Sequence, residues 1–198
     1  PRLGGGTTLR SFGVTEVDGR PLEDIHAEAL GCVSPAQRAY MAALPSSFLH
    51  GAALFVHAGV RPGVDLHAQT ETDLVWIRKG FLDNTQEHGA LVVHGHTAIH
   101  EATHYGNRLN IDSSVAYGGP LSAVVIEGRE AWLLTEDGRV PVARGDGAGT
   151  AQATRRCLAA QRTIGFHRFC FPFDLNISQC FELKERRNEF VCILRHLN

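Results

Sequence analysis

Apolar and polar residues follow two spacings along the first 144 residues, one typical of helices and one typical of buried strands. Three stretches are typical of helices. The second begins with Ser34 at the N-cap and Pro35 in the first turn, and the third begins at Thr70 or Thr72. We therefore predict helices over RPLEDIHAEAL (20–30), SPAQRAYMAAL (34–44) and TETDLVWIRKGFL (70–82).

Short apolar runs that end in small or turn-forming residues predict the strands of a sheet. The last two runs are joined by a turn containing glycine, which is typical of a hairpin. The predicted strands are AALFVHAG (52–59), ALVVHGHT (90–97), RLNIDSS (108–114), LSAVVIEG (121–128) and EAWLLTED (130–137). Helices and strands in this succession indicate an α/β fold.

The composition changes near residue 145, at the small-residue stretch ARGDGAGTAQAT. Only one of 21 glycines lies beyond residue 150, whereas four of the five cysteines and six of the ten phenylalanines lie there. We therefore divide the chain into a domain at 1–144 and a linker and tail at 145–198. Within the tail, NISQCFELKERRNEFVCILRHL (176–197) is predicted as one helix, although its apolar residues scatter over more than one face.

Charge and composition narrow the classes of partner. The formal net charge of −2 favours neither nucleic acid nor an anionic membrane. No apolar run approaches the roughly 20 residues of a membrane-spanning helix, and the N-terminus lacks the charged and then apolar segment of a secretory signal. The cysteines form no C-x-x-C pair and no dense framework, so we expect a reducing, cytoplasmic setting.

Polar side chains follow three of the predicted strands at the point where each strand ends. His57 follows one strand, His94 and His96 end another, and Asp112 ends a third. In open α/β sheets ligands bind outside the carboxyl ends of the strands. A glycine such as Gly95 lets the backbone turn sharply and approach an ion closely. Since imidazole suits Mn, Fe, Zn and Ni, these strand ends indicate a metal site.

Each of these residues also has a purely structural interpretation. A single histidine at a strand end is as often a hydrogen-bonded structural residue as a ligand, and it is the second histidine, His57, that favours a metal at His96. Because His94 lies two residues from His96, we expect it to support the site rather than bind the ion. Arg78 presents a planar fork suited to phosphate oxygens, although a surface role is the commoner one for it and for Arg61. Four further histidines lie in predicted helix or loop contexts, and we expect them to take no part in the metal site. They are His67, His88, His100 and His104.

Four sequence blocks, in this order and at this spacing, resemble one enzyme family: LFVHAGVRPGVDLHAQ, DLVWIRKGFL, LVVHGHT and NRLNIDSS. They are similar to the C-terminal half of a bacterial PPP-type serine/threonine phosphatase of the calcineurin-like metallophosphoesterase superfamily. The resemblance covers roughly residues 1–140. It implies part of a β-sandwich flanked by helices, with the tail unrelated to the family.

The resemblance also implies roles for particular residues. The family uses two divalent metals, Mn or Fe and Zn, to activate water and clamp the phosphate. His57 and His96 match two ligands of the same metal, and Arg78 matches an arginine that contacts substrate phosphate. Asp112 matches a residue that supports the site, beside Gly95 and His94.

Three further motifs of that family, GDxHG, GDxxDRG and GNHE, do not occur in the sequence. In the family they supply the ligands of the first metal, the bridging carboxylate, and the acid and second arginine of catalysis. The resemblance therefore implies no catalytic residue in this chain and at most one incomplete metal site. We expect a fragment whose N-terminal half is absent, consistent with a start that is not Met, and whose sheet exposes one face.

A smaller departure lies at Ser114, where the family has glycine. If the backbone there has a positive φ, serine costs roughly 1 kcal/mol or more.

Several interpretations of function remain open. The first is descent from phosphoserine or phosphothreonine protein phosphatases, with a phosphoprotein or small phosphoester as substrate and little or no activity in this chain. Symmetrical diadenosine-tetraphosphate hydrolases share the same blocks. A non-catalytic domain that complements a separate N-terminal half, or a remnant without function, is also compatible. The tail is either an extension that covers the sheet or sequence read past a disrupted gene end.

Overall fold

The computed structural model describes residues 5–145, 178–186 and 189–196. Contacts divide these residues into two units, which meet in sequence between Pro45 and Ser46. The second unit includes both described parts of the tail. The division at 144 and 145, which the change of composition indicates, stays a prediction. None of the helices in the described ranges is long and apolar enough to cross a membrane.

The first unit is helical, as the sequence predicts. Its helices are α1 (Gly5–Ser11), α2 (Leu22–Cys32) and α3 (Pro35–Ala43). Ser34 is the N-cap and Pro35 lies in the first turn of α3, so both predicted features of this N-terminus are confirmed. The Ser34 side chain accepts a hydrogen bond from the Gln37 N–H, and the Gln37 side chain accepts one from the Ser34 N–H. Three apolar residues, Val14, Val17 and Ile25, form the small core of this unit.

The described residues of the second unit form two β-sheets. The strands of the first sheet are β1 (Ser47–His50), β2 (Ala53–Val56), β3 (Leu91–His94), β4 (Thr103–His104), β5 (Arg108–Asn110) and β9 (Ala143–Arg144). Those of the second sheet are β6 (Ala123–Glu127), β7 (Glu130–Thr135), β8 (Gly138–Pro141), β10 (Ser178–Arg186) and β11 (Glu189–His196). The mixed α/β class is therefore confirmed.

The centre of the first sheet consists of three parallel strands. The order is β1-β2-β3-β5-β4-β9, and β2, β3 and β5 run in the same direction. Phe55 lies opposite Val93, and His94 lies opposite Asn110. The carboxyl ends of these strands consequently meet at one edge, which is where the sequence places its polar side chains.

Strands β2 and β3 are buried along their whole length. On one face, Phe55 and Val93 pack with Val124 of the second sheet. On the other face, Val92 packs with Val60 and Phe81, from the segment that connects β2 to β3. The prediction that the sheet exposes one face is therefore wrong for these strands. The segment between β2 and β3 covers this face with apolar side chains. The pattern of apolar residues within the strands did not indicate that cover.

Helix α4 (Glu71–Trp76) is shorter than the predicted helix over 70–82. It begins where predicted, since the Thr70 side chain accepts a hydrogen bond from the Asp73 N–H. It ends because Ile77 adopts an extended conformation, with φ −60° and ψ 139°. The following turns bring Phe81 back under the sheet, where it is fully buried.

The helix predicted over 176–197 is wrong for the described residues, which form the antiparallel strands β10 and β11. β11 also pairs with β6, so the two strands extend the second sheet. A helix of this sequence has no single apolar face to bury. Strand pairing instead satisfies the backbone groups along one edge of β6.

Candidate functional site

The candidate site lies at the carboxyl edge of the three parallel strands. His57 directly follows β2, Gly95 and His96 directly follow β3, and Asp112 lies two residues beyond β5. The Gly95 N–H donates to the His57 carbonyl at 2.9 Å, which ties the first two strand ends together. Adjacent parallel strands therefore place these residues side by side, as the sequence predicts.

The imidazole rings of His57 and His96 lie next to each other, with their planes inclined by 57°. His57 Nε2 and His96 Nδ1 are 3.1 Å apart, and the ring centroids are 4.8 Å apart. The His96 backbone has φ 62°, in the left-handed region that few residues other than glycine adopt. This conformation turns the chain after β3 and brings the His96 ring towards His57.

Several hydrogen bonds hold the turn that carries His96. The Thr97 N–H donates to the Gly95 carbonyl at 2.6 Å, which closes the turn itself. Arg78 Nη2 donates to the His96 carbonyl at 3.1 Å. Asn110 Nδ2 donates to the Thr97 carbonyl at 2.8 Å. A backbone conformation that costs free energy is thus fixed by its surroundings, a situation often found at functional sites.

The pair of imidazoles fits two neighbouring ligand positions of one divalent ion. With metal–nitrogen bonds of 2.0–2.1 Å, neighbouring nitrogen ligands lie about 3.0 Å apart in octahedral and about 3.4 Å apart in tetrahedral geometry. The observed 3.1 Å falls in this range, and it also fits a direct N–H···N hydrogen bond. Across the described residues, no group of three or more His, Cys, Asp and Glu side chains is arranged to hold a metal. The fit is therefore partial.

Electrostatics favour the neutral form of His96. Burial lowers its pKa, the nearby Arg78 guanidinium lowers it further, and Asp112 opposes the shift. Neutral imidazole is the form that coordinates a metal. The Nε2 atom of His96 is buried and makes no hydrogen bond within the described part of the chain.

His94 lies in the buried layer beneath the site and not beside the other two imidazoles. It is fully buried, and its ring contacts the Phe81 ring edge-on at 5.0 Å between centroids. Its Nδ1 is 3.1 Å from the Gly95 carbonyl, and its Nε2 is 3.4 Å from Arg108 Nη1. The ring is therefore the neutral tautomer with the proton on Nδ1. Burial, and then the Arg108 charge, lower its pKa to about 3.

The two arginines singled out by the sequence have different surroundings. Arg78 is exposed, and its guanidinium lies near the site because it binds the His96 carbonyl. Arg61 instead forms a two-pronged ion pair with the buried carboxylate of Asp73, at 2.9 and 2.6 Å. Trp76, at the end of α4, is 58% exposed and meets the His96 ring edge-on. Arg78 is thus available to an anion, whereas Arg61 has a structural role.

Asp112 and Ser114 form the third side of the site. Asp112 is buried, and its carboxylate accepts a hydrogen bond from the Ser114 N–H at 3.3 Å. Ser114 has φ 66°, so the condition under which serine is costly at this position is met. Its hydroxyl donates to the Ile99 carbonyl at 2.7 Å, a bond that glycine would not make.

Two residues of this region are important in the structure but were not singled out from the sequence. Asn110 is 1% exposed and bonds to both loops of the site. Arg108 is 3% exposed, and its guanidinium lies 3.7 Å from the centre of the Tyr105 ring. The available signal was a polar residue inside the apolar strand RLNI, because buried polar groups require partners.

Four further histidines lie away from the imidazole pair, and one of them, His104, lies in β4 and not in the predicted helix or loop context. His104 is buried, is 2.8 Å from the Arg129 carbonyl through Nε2, and accepts the Gly106 N–H through Nδ1. His88 lies 3.3 Å from the Asn107 amide. His67 and His100 are exposed. None of the four contacts the imidazole pair in the described part of the chain.

Comparisons with known proteins give no relative for this chain: no protein family, curated protein or solved structure matches it.

Proposed function

We propose that this chain descends from two-metal phosphoester hydrolases of the bacterial PPP-type phosphatase family, with their β-sandwich arrangement. In this proposal His57 and His96 bind one divalent ion, Mn or an ion of the Fe and Zn type. Arg78 binds an oxygen of the substrate phosphoryl group. The favoured substrate is phosphoserine or phosphothreonine in a protein. Alone, the chain is expected to turn over little or no substrate.

The observation that carries the proposal is the 3.1 Å separation of His57 Nε2 and His96 Nδ1 at the end of two parallel strands. The order of the sequence blocks adds support, because the same blocks supply both imidazoles and Arg78. Arg78 is exposed and lies one hydrogen bond away from the His96 backbone, so a phosphoryl group near the imidazoles is within reach of its fork.

Ions bound in such a centre supply an activated water and neutralise charge on the phosphoryl oxygens. The described residues contribute the two imidazoles, held neutral at His96 by burial, and the guanidinium that orients the anion. A catalytic ion normally has three or more protein ligands. We therefore propose that a segment carrying the GDxHG, GDxxDRG and GNHE motifs is the missing partner.

Metal binding by the full chain is the first test. Titration calorimetry with Mn²⁺ and Zn²⁺ is expected to detect one weak site, which His57→Ala or His96→Ala abolishes. His67→Ala is the matched control, since His67 is exposed on the short helix Leu66–Ala68 and is expected to leave binding unchanged. A wild-type chain that binds neither ion, or a His57→Ala variant that binds as well, would contradict the proposal.

Activity is the second test. With Mn²⁺, the chain alone is expected to hydrolyse p-nitrophenyl phosphate no faster than buffer. An N-terminal half of a bacterial PPP-type phosphatase, added as a separate polypeptide, is expected to restore the rate. Hydrolysis by the chain alone that both His→Ala variants abolish would refute its incompleteness. A phosphopeptide and diadenosine tetraphosphate, compared in the restored enzyme, separate the two substrate classes.

A non-catalytic role is the second candidate. It is favoured by the lack of a third metal-binding side chain among the described residues. In that case the chain binds metal or phosphate without turnover, and addition of the N-terminal half gives a complex but no rate.

A further inference from the structure

The side chain of Asn110 connects the two loops that surround the imidazole pair. Asn110 is the last residue of β5 and is 1% exposed. Its Nδ2 donates to the Thr97 carbonyl at 2.8 Å, and its Oδ1 accepts the Asp112 N–H at 2.9 Å. One buried amide therefore joins the loop that carries His96 to the loop that carries Asp112.

The bond to Thr97 acts directly on the position of His96. Residues 95–97 form a tight turn, closed by the bond between the Thr97 N–H and the Gly95 carbonyl. Within that turn His96 has a positive φ, a conformation that a free chain disfavours by roughly 1–3 kcal/mol. Of the bonds that hold the turn from outside, the one from Asn110 is partly buried and comes from a side chain that is 1% exposed, whereas the one from Arg78 is exposed. Water competes less with the partly buried bond.

The bond to Asp112 holds the second loop. By accepting the Asp112 N–H at 2.9 Å, the Asn110 amide fixes the start of this loop, in which the buried Asp112 carboxylate accepts the Ser114 N–H at 3.3 Å. The two ends of one side chain thus hold both loops beside the imidazole pair.

We propose that Asn110 is a positioning residue, which holds His96 at the distance from His57 at which both rings bind one ion. The inference rests on the proposed metal-binding function but makes a separate claim about geometry. Asn110 is not a ligand, and it acts through the Thr97 carbonyl.

The residue that directly precedes β5, Asn107, offers a matched control. It is 2% exposed. Its Nδ2 donates to the carbonyls of Asn84 and Gln86, both at 2.8 Å, in a loop that does not carry the imidazole pair. Asn107→Ala and Asn110→Ala therefore each remove one buried amide at opposite ends of the segment 107–110, and only the Asn110 amide bonds to the turn of His96.

The experiment compares these variants in the full chain by two measurements. The first is nuclear Overhauser contact between the His57 and His96 rings without metal. The second is affinity for Mn²⁺ and Zn²⁺. Asn110→Ala is expected to abolish the ring contact and weaken metal binding at least about tenfold, the usual effect of removing a group that orients a ligand. Asn107→Ala is expected to lower the unfolding temperature while leaving both measurements unchanged.

Asn110→Asp is the second variant, and it keeps nearly the same volume if Asn110→Ala does not fold. Because burial favours the protonated carboxyl group, which would donate to the Thr97 carbonyl, this variant is measured at about pH 9, where ionised aspartate accepts the Asp112 N–H but has no hydrogen to donate. Loss of the ring contact in this variant supports the proposal. Ring contact retained in folded Asn110→Ala or Asn110→Asp, or lost equally in Asn107→Ala, overturns it.

The two claims fail in different ways. If the wild-type chain binds no metal, the proposed function fails, and the ring contact in metal-free protein still decides the role of Asn110. If metal binds normally while Asn110→Ala leaves the ring contact intact, the role of Asn110 fails and the proposed function stands.

Discussion

At residue 96 the backbone adopts a left-handed conformation that glycine accepts at no steric cost and histidine does not. The neighbours Gly95 and Thr97 contribute a bond across the turn, and Arg78 and Asn110 hold it from outside. Strain of this kind persists where a side chain is needed at that position. We therefore expect the imidazole of His96 to serve the function of the site, at some cost to the stability of the fold.

The comparison of His96→Gly with His96→Ala isolates this strain. Both variants remove the ring, but glycine tolerates the positive φ and alanine does not. We expect His96→Gly to unfold with a free energy about 1 kcal/mol higher than His96→Ala, measured by urea denaturation. At His67, which has no positive φ, the order of the glycine and alanine variants is expected to reverse. Equal stabilities at residue 96 would show that the turn relaxes once the ring is gone.

Single residues also show how far the sequence predicts the site. His57, His96 and Asp112 were found because polar residues follow apolar strands, and the structure places them at one edge. The free-energy cost of serine at residue 114 depends on its backbone φ. The sequence does not give this angle, so the cost could be predicted only for the case that φ is positive. Asn110 was missed because its role depends on a carbonyl, Thr97 O, in another loop.

Helix α4 depends on an ion pair at its first turn. The buried carboxylate of Asp73 binds the Arg61 guanidinium and the Thr70 hydroxyl. The hydrogen bonds from Arg61, and then that from Thr70, lower the pKa of Asp73. A carboxyl group with a lowered pKa contributes stability above its unfolded pKa of about 3.9, and this contribution is lost as the pH falls further.

Substitutions at the two residues of the Arg61–Asp73 ion pair are expected to change the stability of the fold by different amounts. Arg61→Ala leaves a buried carboxylate without its cation, so we expect a lower unfolding temperature at pH 7. Adding Asp73→Asn removes the unpaired charge and is expected to recover part of that loss. Thermal melts followed by circular dichroism at pH 7 measure both effects. A double variant less stable than Arg61→Ala alone would mean that Thr70 and its surroundings satisfy the carboxylate.

Elements with strong local signals were predicted, and elements that depend on distant partners were not. Helix α3 was found because Ser34 and Pro35 mark its start. Strands β4 and β9 have two residues each, too few for any periodicity. β10 and β11 were mistaken for a helix, because the pairing of β11 with β6 is decided by contacts far apart in sequence.

At the scale of the whole molecule, the tail contributes two strands to the second sheet. Without β11, β6 would be an unpaired edge beside the core residues Val124 and Ile126. Exposed edges of apolar strands promote association between chains. A chain that lacks residues 146–198 is therefore expected to associate through this edge. Light scattering is expected to give it a larger particle mass than that of the full chain. A peptide of residues 178–196 added back is expected to reverse the effect, and an unchanged mass after removal would exclude this role.

Because β2 and β3 are buried on both faces, their backbone amides are expected to be the slowest to exchange with solvent. Amide protons of such central strands exchange with solvent only when the whole unit opens. The two imidazoles directly follow these strands, whereas Arg78 stands on an exposed turn beyond the six residues of α4. The imidazoles are therefore anchored to the part of the unit that opens last, whereas Arg78 lies on an exposed segment. Under the proposed function, a phosphoryl group would meet two rings held by the core and a guanidinium held mainly by one exposed hydrogen bond.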